Sequence, residues 1–183
     1  VLEKYPAEVI RYFLVSSHYR SQVDYSEDNL VEANATLDRL YQSLRGLSES
    51  AFSSKTLEQS YVARFKTAMD DDFNTPEALA VMFDLVRELN VARKDQSNSV
   101  ARLATTLKTL GETLGVLQLD PETYFKGESS EGLSNEDIDL LVKDRTDARA
   151  NKNWAESDRI RDLLLEQGIT LDDSKAGTSW RRA

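Results

Sequence analysis

The sequence predicts a mainly α-helical protein, with a four-helix bundle followed by a small α+β module of two helices and a β-hairpin. Over residues 30–117, apolar side chains recur at steps of three and four, which is typical of amphipathic helices. Residues 119–137 then concentrate Pro, Gly, Ser and Glu without periodicity. The chain ends with two short β-like runs, "ITLDD" and "TSWRR", separated by "SKAG". At 183 residues it is long enough for one or two domains, each with a core.

Four apolar stripes define the predicted bundle over 28–119. The first helix is long, and "SED" at 26–28 supplies its cap and acidic first turn. The stripes are Leu30, Ala33, Leu37, Leu40, Leu44 and Leu47; Leu57, Tyr61, Phe65 and Met69; Leu79, Met82, Phe83, Val86 and Leu89; and Val100, Leu103, Leu107, Leu110, Leu114 and Leu117. No helix buries its stripe alone, so the four are expected to pack together.

The N-terminal residues predict one further helix, "PAEVIRYFLVSSHYR", beginning after Pro6. Its expected buried side chains are Val9, Ile10, Phe13 and Leu14. We expect this helix to pack on chain that precedes Val1. The sequence starts without Met and without a signal-peptide pattern, which indicates a piece of a longer chain.

The stretch "MDDDFNTPEALA" joins the second and third helices of the bundle. It places Thr75 as an N-cap and Pro76 as the first helical residue, where the missing N–H costs nothing. Asp70, Asp71 and Asp72 form an acidic run at a helix C-terminus, which the helix dipole disfavours. A metal or ligand site is one interpretation of this run, and a solvated turn is the commoner one.

The C-terminal module follows a predicted linker at 120–133. Two helices are predicted at 134–152 and 153–167, and Asn153 with Glu156 three residues later forms a capping-box pattern for the second. Gly168 ends that helix. Trp180, in the second strand of the hairpin, is expected in the core because so small a module buries its aromatic side chains.

Composition excludes several function classes. The chain has no cysteine and one histidine, His18, which argues against thiolate metal sites, His-based metal clusters and Ser-His-Asp triads. Its seven glycines form no phosphate-binding loop, and no apolar run approaches the ~18 residues of a membrane span. The net charge of −9 argues against general nucleic-acid binding, although residues 134–183 are nearly balanced, with 9 Lys and Arg against 11 Asp and Glu.

Trp154 lies in an unusually charged neighbourhood. On the predicted helix 153–167, Ile160, Leu163 and Leu164 form the apolar face, and Trp154 points away from it. Asp158 follows Trp154 by one turn. The indole therefore either packs on a neighbouring element or waits for a partner.

Two arginines and two carboxylates complete this constellation. Arg145 and Arg149 continue the apolar face of the helix at 134–152, where arginines either cover a neighbouring element or present guanidinium groups to a partner. Asp158 and Asp173 only accept hydrogen bonds, which suits guanine and cytosine donors. An aromatic face, Arg and base-edge acceptors are the chemistry of RNA readers. Surface ion pairs and simple packing are the alternative.

Three long motifs resemble the C-terminal part of bacterial cysteinyl-tRNA synthetases. They are "YPAEVIRYFLVSSHYRSQVDYSEDNL", "RFKTAMDDDFNTPEALAVMFDLVREL" and "RTDARANKNWAESDRIRDLLLEQGITLDDSKAGTSWRR". The resemblance covers essentially the whole chain and implies a class I aminoacyl-tRNA synthetase, a cytoplasmic ligase that uses ATP to join cysteine to its tRNA in translation. In that family ATP and zinc are held by a catalytic domain with HIGH and KMSKS motifs. This chain lacks those residues, so no catalytic and no metal-binding residue is expected in it.

The resemblance also implies how the chain is divided. Residues 1–27 would belong to the stem-contact region, and 28–119 to a bundle of the DALR type, although "EALA" at 77–80 is the nearest match to the Asp-Ala-Leu-Arg tetrapeptide. Residues 120–133 would be a linker, and 134–183 the anticodon-binding module.

The family's anticodon contacts correspond here to Arg149, Trp154, Asp158 and Asp173. The cysteine anticodon, GCA, offers guanine and cytosine donors, which agrees with the two carboxylates. The implied partners are tRNA(Cys) and the enzyme's own catalytic domain, with no membrane and a monomeric state. The alternative function is a helical scaffold that binds another protein around Tyr19 and Arg20, without regard to the anticodon.

Overall fold

The chain folds into two units, Val1–Pro121 and Glu122–Ala183. The computed structural model describes residues 4–127, 132–174 and 177–182. Over these ranges it contains eight α-helices, one 3₁₀ turn and two β-strands. The mainly helical fold class, with a bundle followed by a small α+β module, is confirmed.

In its described part, the first unit has helices as its only regular secondary structure. Its elements are α1 (Ala7–Val15), α2 (Glu27–Leu44), a 3₁₀ turn (Glu49–Phe52), α3 (Gln59–Asp70), α4 (Thr75–Lys94) and α5 (Val100–Leu114). Helix α4 packs against α2, α3 and α5, and the 3₁₀ turn packs against α5. Fully buried side chains at the centre include Leu37, Met82, Leu85 and Leu103. Helices α2, α3, α4 and α5 are the four helices of the predicted bundle.

Helix α1 packs on α2, within the same unit. Its buried residues are Val9, Tyr12 and Phe13, which share one helix face. Burial of Leu14 was wrongly expected: its side chain is 52% exposed, and Ile10 is only partly buried. Apolar residues of α1 lie on more than the one face that packs against α2. The sequence pattern alone therefore does not identify which face is buried.

Helix ends follow the capping rules with one shift. The Oγ atom of Ser26 accepts a hydrogen bond from the Asn29 N–H at 3.1 Å, which confirms the predicted start of α2. The cap of α4 was wrongly assigned to Thr75. The amide oxygen of Asn74 accepts from the Glu77 N–H at 3.2 Å, so the helix begins at Thr75, with Pro76 in its first turn.

The fourth helix of the bundle ends before its predicted stripe does. Gly115 adopts a left-handed conformation (φ 72°) and terminates α5 after Leu114. Leu117 is nevertheless fully buried, because the chain folds back and its side chain packs over Gly111. The predicted burial of Leu117 is therefore correct, although the residue lies in the turn after α5 and not in the helix.

The second unit contains three helices and a hairpin over its described residues. Its elements are α6 (Pro121–Lys126, with Pro121 counted in the first unit), α7 (Asn135–Ala150), α8 (Trp154–Glu166), β1 (Ile169–Ser174) and β2 (Gly177–Arg182). The strands pair antiparallel, with Leu171 opposite Trp180. Helix α6 lies inside the predicted linker, 120–133, so that segment is helical at its start. Residues 128–131 lie outside the described ranges.

The core of the second unit lies between α7, α8 and the hairpin. It consists of Ile138, Val142, Ile160, Leu164, Ile169 and Trp180. The expected burial of Trp180 is confirmed: it is 2% exposed, and its indole N–H donates to Asp139 Oδ1 at 2.6 Å. Burial of a donor is inexpensive when a carboxylate accepts it.

Candidate nucleic-acid interface

Trp154 is the first residue of α8, and its ring lies on the surface. A tight turn separates α7 from α8, and Lys152 in this turn has a positive φ of 58°. Asn153 caps α8, since its side chain accepts from the Glu156 N–H at 3.3 Å. Trp154 is 59% exposed, whereas Trp180 is 2% exposed. The ring of Trp154 is therefore available to a partner.

The capping box predicted at Asn153 is only half formed. The Asn153 N–H donates to the Ala148 carbonyl at 2.8 Å, at the end of α7, so it is not available to Glu156. The Glu156 carboxylate instead accepts from Nε and Nη2 of Arg159. The full capping box occurs at the start of α7, between Ser134 and Asp137.

Asp173 lies near the turn of the hairpin and accepts four hydrogen bonds. Arg145 donates to it from Nη1 at 3.0 Å and from Nη2 at 2.9 Å. Arg149 donates from Nη1 at 2.7 Å, and the hydroxyl of Thr178, its register partner, donates at 2.6 Å. The hydrogen bonds from Arg145 and Thr178 hold the pKa of Asp173 far below its usual range. The lowered pKa keeps the Asp173 carboxylate ionised at neutral pH and below.

Arg145 is the buried member of this cluster. It lies two turns after Ile138 on the buried face of α7, and it is 7% exposed. Its hydrogen bonds to Asp173 raise its pKa, as does the nearby charge of Asp158. Its Nε atom is buried and has no hydrogen-bond partner among the described residues. Of the two sequence interpretations for arginines on this stripe, Arg145 covers the core while Arg149 is half exposed.

Thr178 was missed in the sequence, and Arg145 was noted on the stripe of α7 but not assigned to the site or to a partner. The available signal was an arginine at a position where α7 otherwise buries apolar side chains, since a buried guanidinium requires a carboxylate partner. Spacing could not identify Asp173 as that partner, because the two residues are 28 positions apart.

Asp158 is exposed on α8, one turn after Trp154. It pairs with Nη1 of Arg161 at 3.0 Å, and Arg161 also contacts Asp162. The structure thus brings Arg149 and Asp173 into direct contact and places Trp154 and Asp158 on successive turns of one helix. The charge of Asp158 also contributes to the raised pKa of Arg145, whose guanidinium binds Asp173. Together these residues present an aromatic face, guanidinium donors and a carboxylate acceptor.

Asp72, the last residue of the acidic run at 70–72, makes intramolecular side-chain contacts in the first unit. Asp72 accepts a hydrogen bond from the Tyr19 hydroxyl at 2.8 Å, which raises the pKa of Tyr19. Nη2 of Arg20 lies 3.1 Å from the same carboxylate. Within the described ranges no group of three or more His, Cys, Asp and Glu side chains is placed to hold a metal ion. These contacts account for Asp72 as a link between the N-terminal segment and the α3–α4 turn.

Comparison with known proteins gives one family match within each unit. A model of the DALR domain matches residues 64–118, and a model of the cysteinyl-tRNA ligase anticodon-binding domain matches residues 132–181. The chain is 53% identical to the cysteine–tRNA ligase of Azotobacter vinelandii over 181 residues, and 51% identical to that of Methylococcus capsulatus over 185 residues. The chain belongs to the cysteinyl-tRNA ligase family.

The chain corresponds to part of these ligases. The alignments cover 99% of the chain and 39% of the Azotobacter enzyme, and 100% of the chain and 40% of the Methylococcus enzyme. The Marinobacter nauticus enzyme is 52% identical over 184 residues, again with 40% of its length covered. All four expected site residues, Arg149, Trp154, Asp158 and Asp173, lie within the match to the ligase anticodon-binding domain.

No helix in the described part of the chain is both long and apolar enough to cross a membrane.

Proposed function

We propose that this chain is the tRNA-binding part of a cysteine–tRNA ligase, and that its second unit contacts the anticodon of tRNA(Cys). The observation that carries the proposal is the exposed ring of Trp154 within the segment that matches the ligase anticodon-binding domain. An exposed indole leaves a large apolar surface in contact with water, which is unfavourable. A base that stacks on the ring removes that surface from water and so gains binding free energy.

Each of the four site residues has a separate role in this proposal. Trp154 stacks on an unpaired anticodon base. Arg149 donates to a phosphate or a base edge, and Asp158 and Asp173 accept from base N–H groups. Guanine and cytosine, the first two bases of GCA, both offer such donors.

The other regions have supporting roles. We propose that 1–27 contributes to the stem-contact region, that 28–119 is the DALR-type bundle, that 120–133 connects the units and that 134–183 reads the anticodon. The DALR-domain match at 64–118 supports the assignment of the bundle.

Catalysis belongs to the part of the ligases that this chain does not match. The residues present do not fit the zinc or the ATP of that reaction, since the chain has no cysteine, a single histidine and no glycine-rich phosphate loop. We therefore propose that a separate catalytic domain holds both groups, and that the whole enzyme acts in the cytoplasm as a monomer. The domain matches favour this function over the alternative protein-binding scaffold around Tyr19 and Arg20.

The test is the affinity of the chain for a labelled stem-loop with the cysteine anticodon, measured by fluorescence anisotropy. A loop with an altered anticodon, a Trp154→Ala variant and a Leu165→Ala variant are measured in parallel. Leu165 is the matched control, because it is 64% exposed on the same helix. Since base–aromatic stacking contributes about 1–3 kcal/mol, Trp154→Ala should weaken binding about 5- to 150-fold, and Leu165→Ala should not. Equal affinity for both loops would favour the scaffold.

A further inference from the structure

Asp173 has no acceptor position left in the structure. Its Oδ1 atom accepts from Arg145 and Thr178, and its Oδ2 atom accepts from Arg145 and Arg149. A carboxylate offers about four lone-pair sites, two on each oxygen. A base can therefore bond to Asp173 only after one of these donors leaves.

The three residues that donate to Asp173 differ in how many hydrogen bonds they make to it and in how free their side chains are to move away. Arg145 makes two hydrogen bonds, and its side chain is almost fully buried. Arg149 makes one hydrogen bond to Asp173, and its side chain is half exposed. Thr178 donates from a short, β-branched side chain on the paired strand, so it has less freedom to move away from Asp173 than the long side chain of Arg149 has. Arg149 is the donor that leaves at least cost, because solvent or RNA can replace its single contact.

We propose that Arg145 is a positioning residue, which holds Asp173 in place while Arg149 exchanges that carboxylate for RNA. This inference rests on the anticodon-binding function proposed above. When Arg149 moves to a phosphate or a base edge, one acceptor position of Asp173 becomes free for a base N–H donor. Arg145 keeps the carboxylate oriented during the exchange, because a bidentate guanidinium fixes both oxygens. One binding event thus creates both the donor and the acceptor that read the anticodon.

The same geometry gives the exchange its specificity. A phosphate alone can attract Arg149, but it leaves the freed position of Asp173 unfilled and negatively charged. A base fills that position only when its edge places an N–H donor there, as guanine N1–H or cytosine N4–H₂ does and adenine N1 or uracil O4 does not. Without Arg145, the carboxylate can follow Arg149 instead of staying to bind a base.

The experiment compares the affinity of the 183-residue chain for the cysteine anticodon loop with its affinity for a loop in which guanine is replaced by adenine and cytosine by uracil. These replacements put acceptors, adenine N1 and uracil O4, where guanine N1–H and cytosine N4–H₂ were donors. The ratio of the two affinities is measured for the wild type, Arg145→Met and Arg182→Met. Arg182→Met is the matched control, because it removes one positive charge from the same unit, as Arg145→Met does. The Arg182 side chain donates to the Lys126 and Leu133 carbonyls, away from Asp173. Residues with coupled roles typically interact by 0.5–3 kcal/mol, so Arg145→Met should lower the ratio about 2- to 150-fold while Arg182→Met retains it.

A ratio unchanged in Arg145→Met, or lowered equally in Arg182→Met, overturns the positioning role. A wild-type ratio of one instead overturns the proposed function itself, so the two failures are distinct. If Arg145→Met does not fold, NMR of the arginine side chains in the wild type decides the question. On addition of the cysteine anticodon loop, the Arg149 signals should shift and the Arg145 signals should not. A shift of Arg145 without a shift of Arg149 contradicts the exchange.

Discussion

The two tryptophans of the chain have opposite environments. Trp180 is enclosed by the hairpin and α7, its N–H donates to Asp139, and Lys126 and Arg182 lie 5.0 and 5.6 Å from its ring centre. Trp154 has most of its ring in solvent. The same residue type therefore contributes to stability at one position and is free for binding at the other.

This difference predicts opposite effects on stability. Trp180→Ala should lower the free energy of unfolding of the second unit by about 3–5 kcal/mol, since it removes a large buried side chain. Trp154→Ala should change it by less than about 0.5 kcal/mol. Hydrogen exchange of the α7 and α8 amides measures this unit separately from the bundle. A large loss of protection in Trp154→Ala would show that its ring is packed after all.

Asp173 predicts a dependence of stability on pH. Its folded-state pKa is lowered by Arg145 and Thr178, so the unfolded chain binds its proton at higher pH than the folded chain does. The stabilisation is complete above the unfolded pKa of about 3.9, and it is lost as the pH falls towards the folded pKa. Asp173→Asn should therefore cost about 1–3 kcal/mol at pH 7, a range discounted for the partial exposure of the carboxylate.

The measurement is urea unfolding of the wild type and of Asp173→Asn, followed through NMR signals of the second unit at pH 7 and pH 3. The difference between the two proteins should narrow at pH 3. Asp162→Asn is the control, because Asp162 is an exposed partner of Arg161 on α8. A difference that stays constant with pH would mean that the Asp173 carboxylate is not stabilised by its charge.

At the scale of the element, the sequence predicts the helices better than their ends. Periodicity identifies α2 to α5, because each buries one face against the others. The cap of α4 was misplaced by one residue, since Asn and Thr both cap helices and only the backbone conformation distinguishes Asn74 from Thr75. Helix α6 was missed because six residues are too few to show a period. The Arg145–Asp173 contact depends on the strand register, which no local pattern contains.

The end of α5 predicts an unusual effect of a glycine substitution. Alanine in place of a mid-helix glycine normally stabilises by about 0.5–1 kcal/mol. At Gly111, however, an added Cβ would lie 2.8 Å from Leu117 Cδ1 and 3.1 Å from Leu117 Cβ. Leu117 is buried in a turn of positive φ, so it cannot move freely. Gly111→Ala should therefore destabilise the first unit by about 1–3 kcal/mol, the usual cost of overpacking.

A double-mutant cycle isolates this contact. Leu117→Ala removes two of the three atoms that the new methyl group meets, Cδ1 and Cγ, and leaves only the Cβ atom at 3.1 Å. Gly111→Ala should therefore cost less in that background than in the wild type. Thermal unfolding of the four proteins, followed by circular dichroism, gives the coupling. An equal cost in both backgrounds would place the strain elsewhere than at Leu117.

At the scale of the molecule, charge limits how the chain meets RNA. The net charge is −9, and the arginines of the proposed interface are already engaged by carboxylates of the chain. Arg149 contacts Asp173, Arg161 contacts Asp158 and Asp162, and Arg159 contacts Glu156. RNA binding must exchange these partners rather than fill an empty basic surface. Most phosphate contacts of a bound tRNA are therefore expected from the rest of a full-length ligase.

This balance predicts weak binding with a shallow dependence on salt. The logarithm of the binding constant falls with the logarithm of the salt concentration by about 0.7 for each neutralised phosphate of a single strand. With Arg149 as the main cation at the anticodon, the slope should be about −0.7 for the stem-loop, and Arg149→Gln should bring it towards zero. The chain should also hold whole tRNA(Cys) more weakly than a full-length ligase at the same salt concentration. Anisotropy titrations between 50 and 200 mM salt, roughly the range over which this effect is usually resolved, measure both quantities. A steep slope, or an affinity equal to that of the whole enzyme, would require a basic surface that the charge pattern of this chain does not provide.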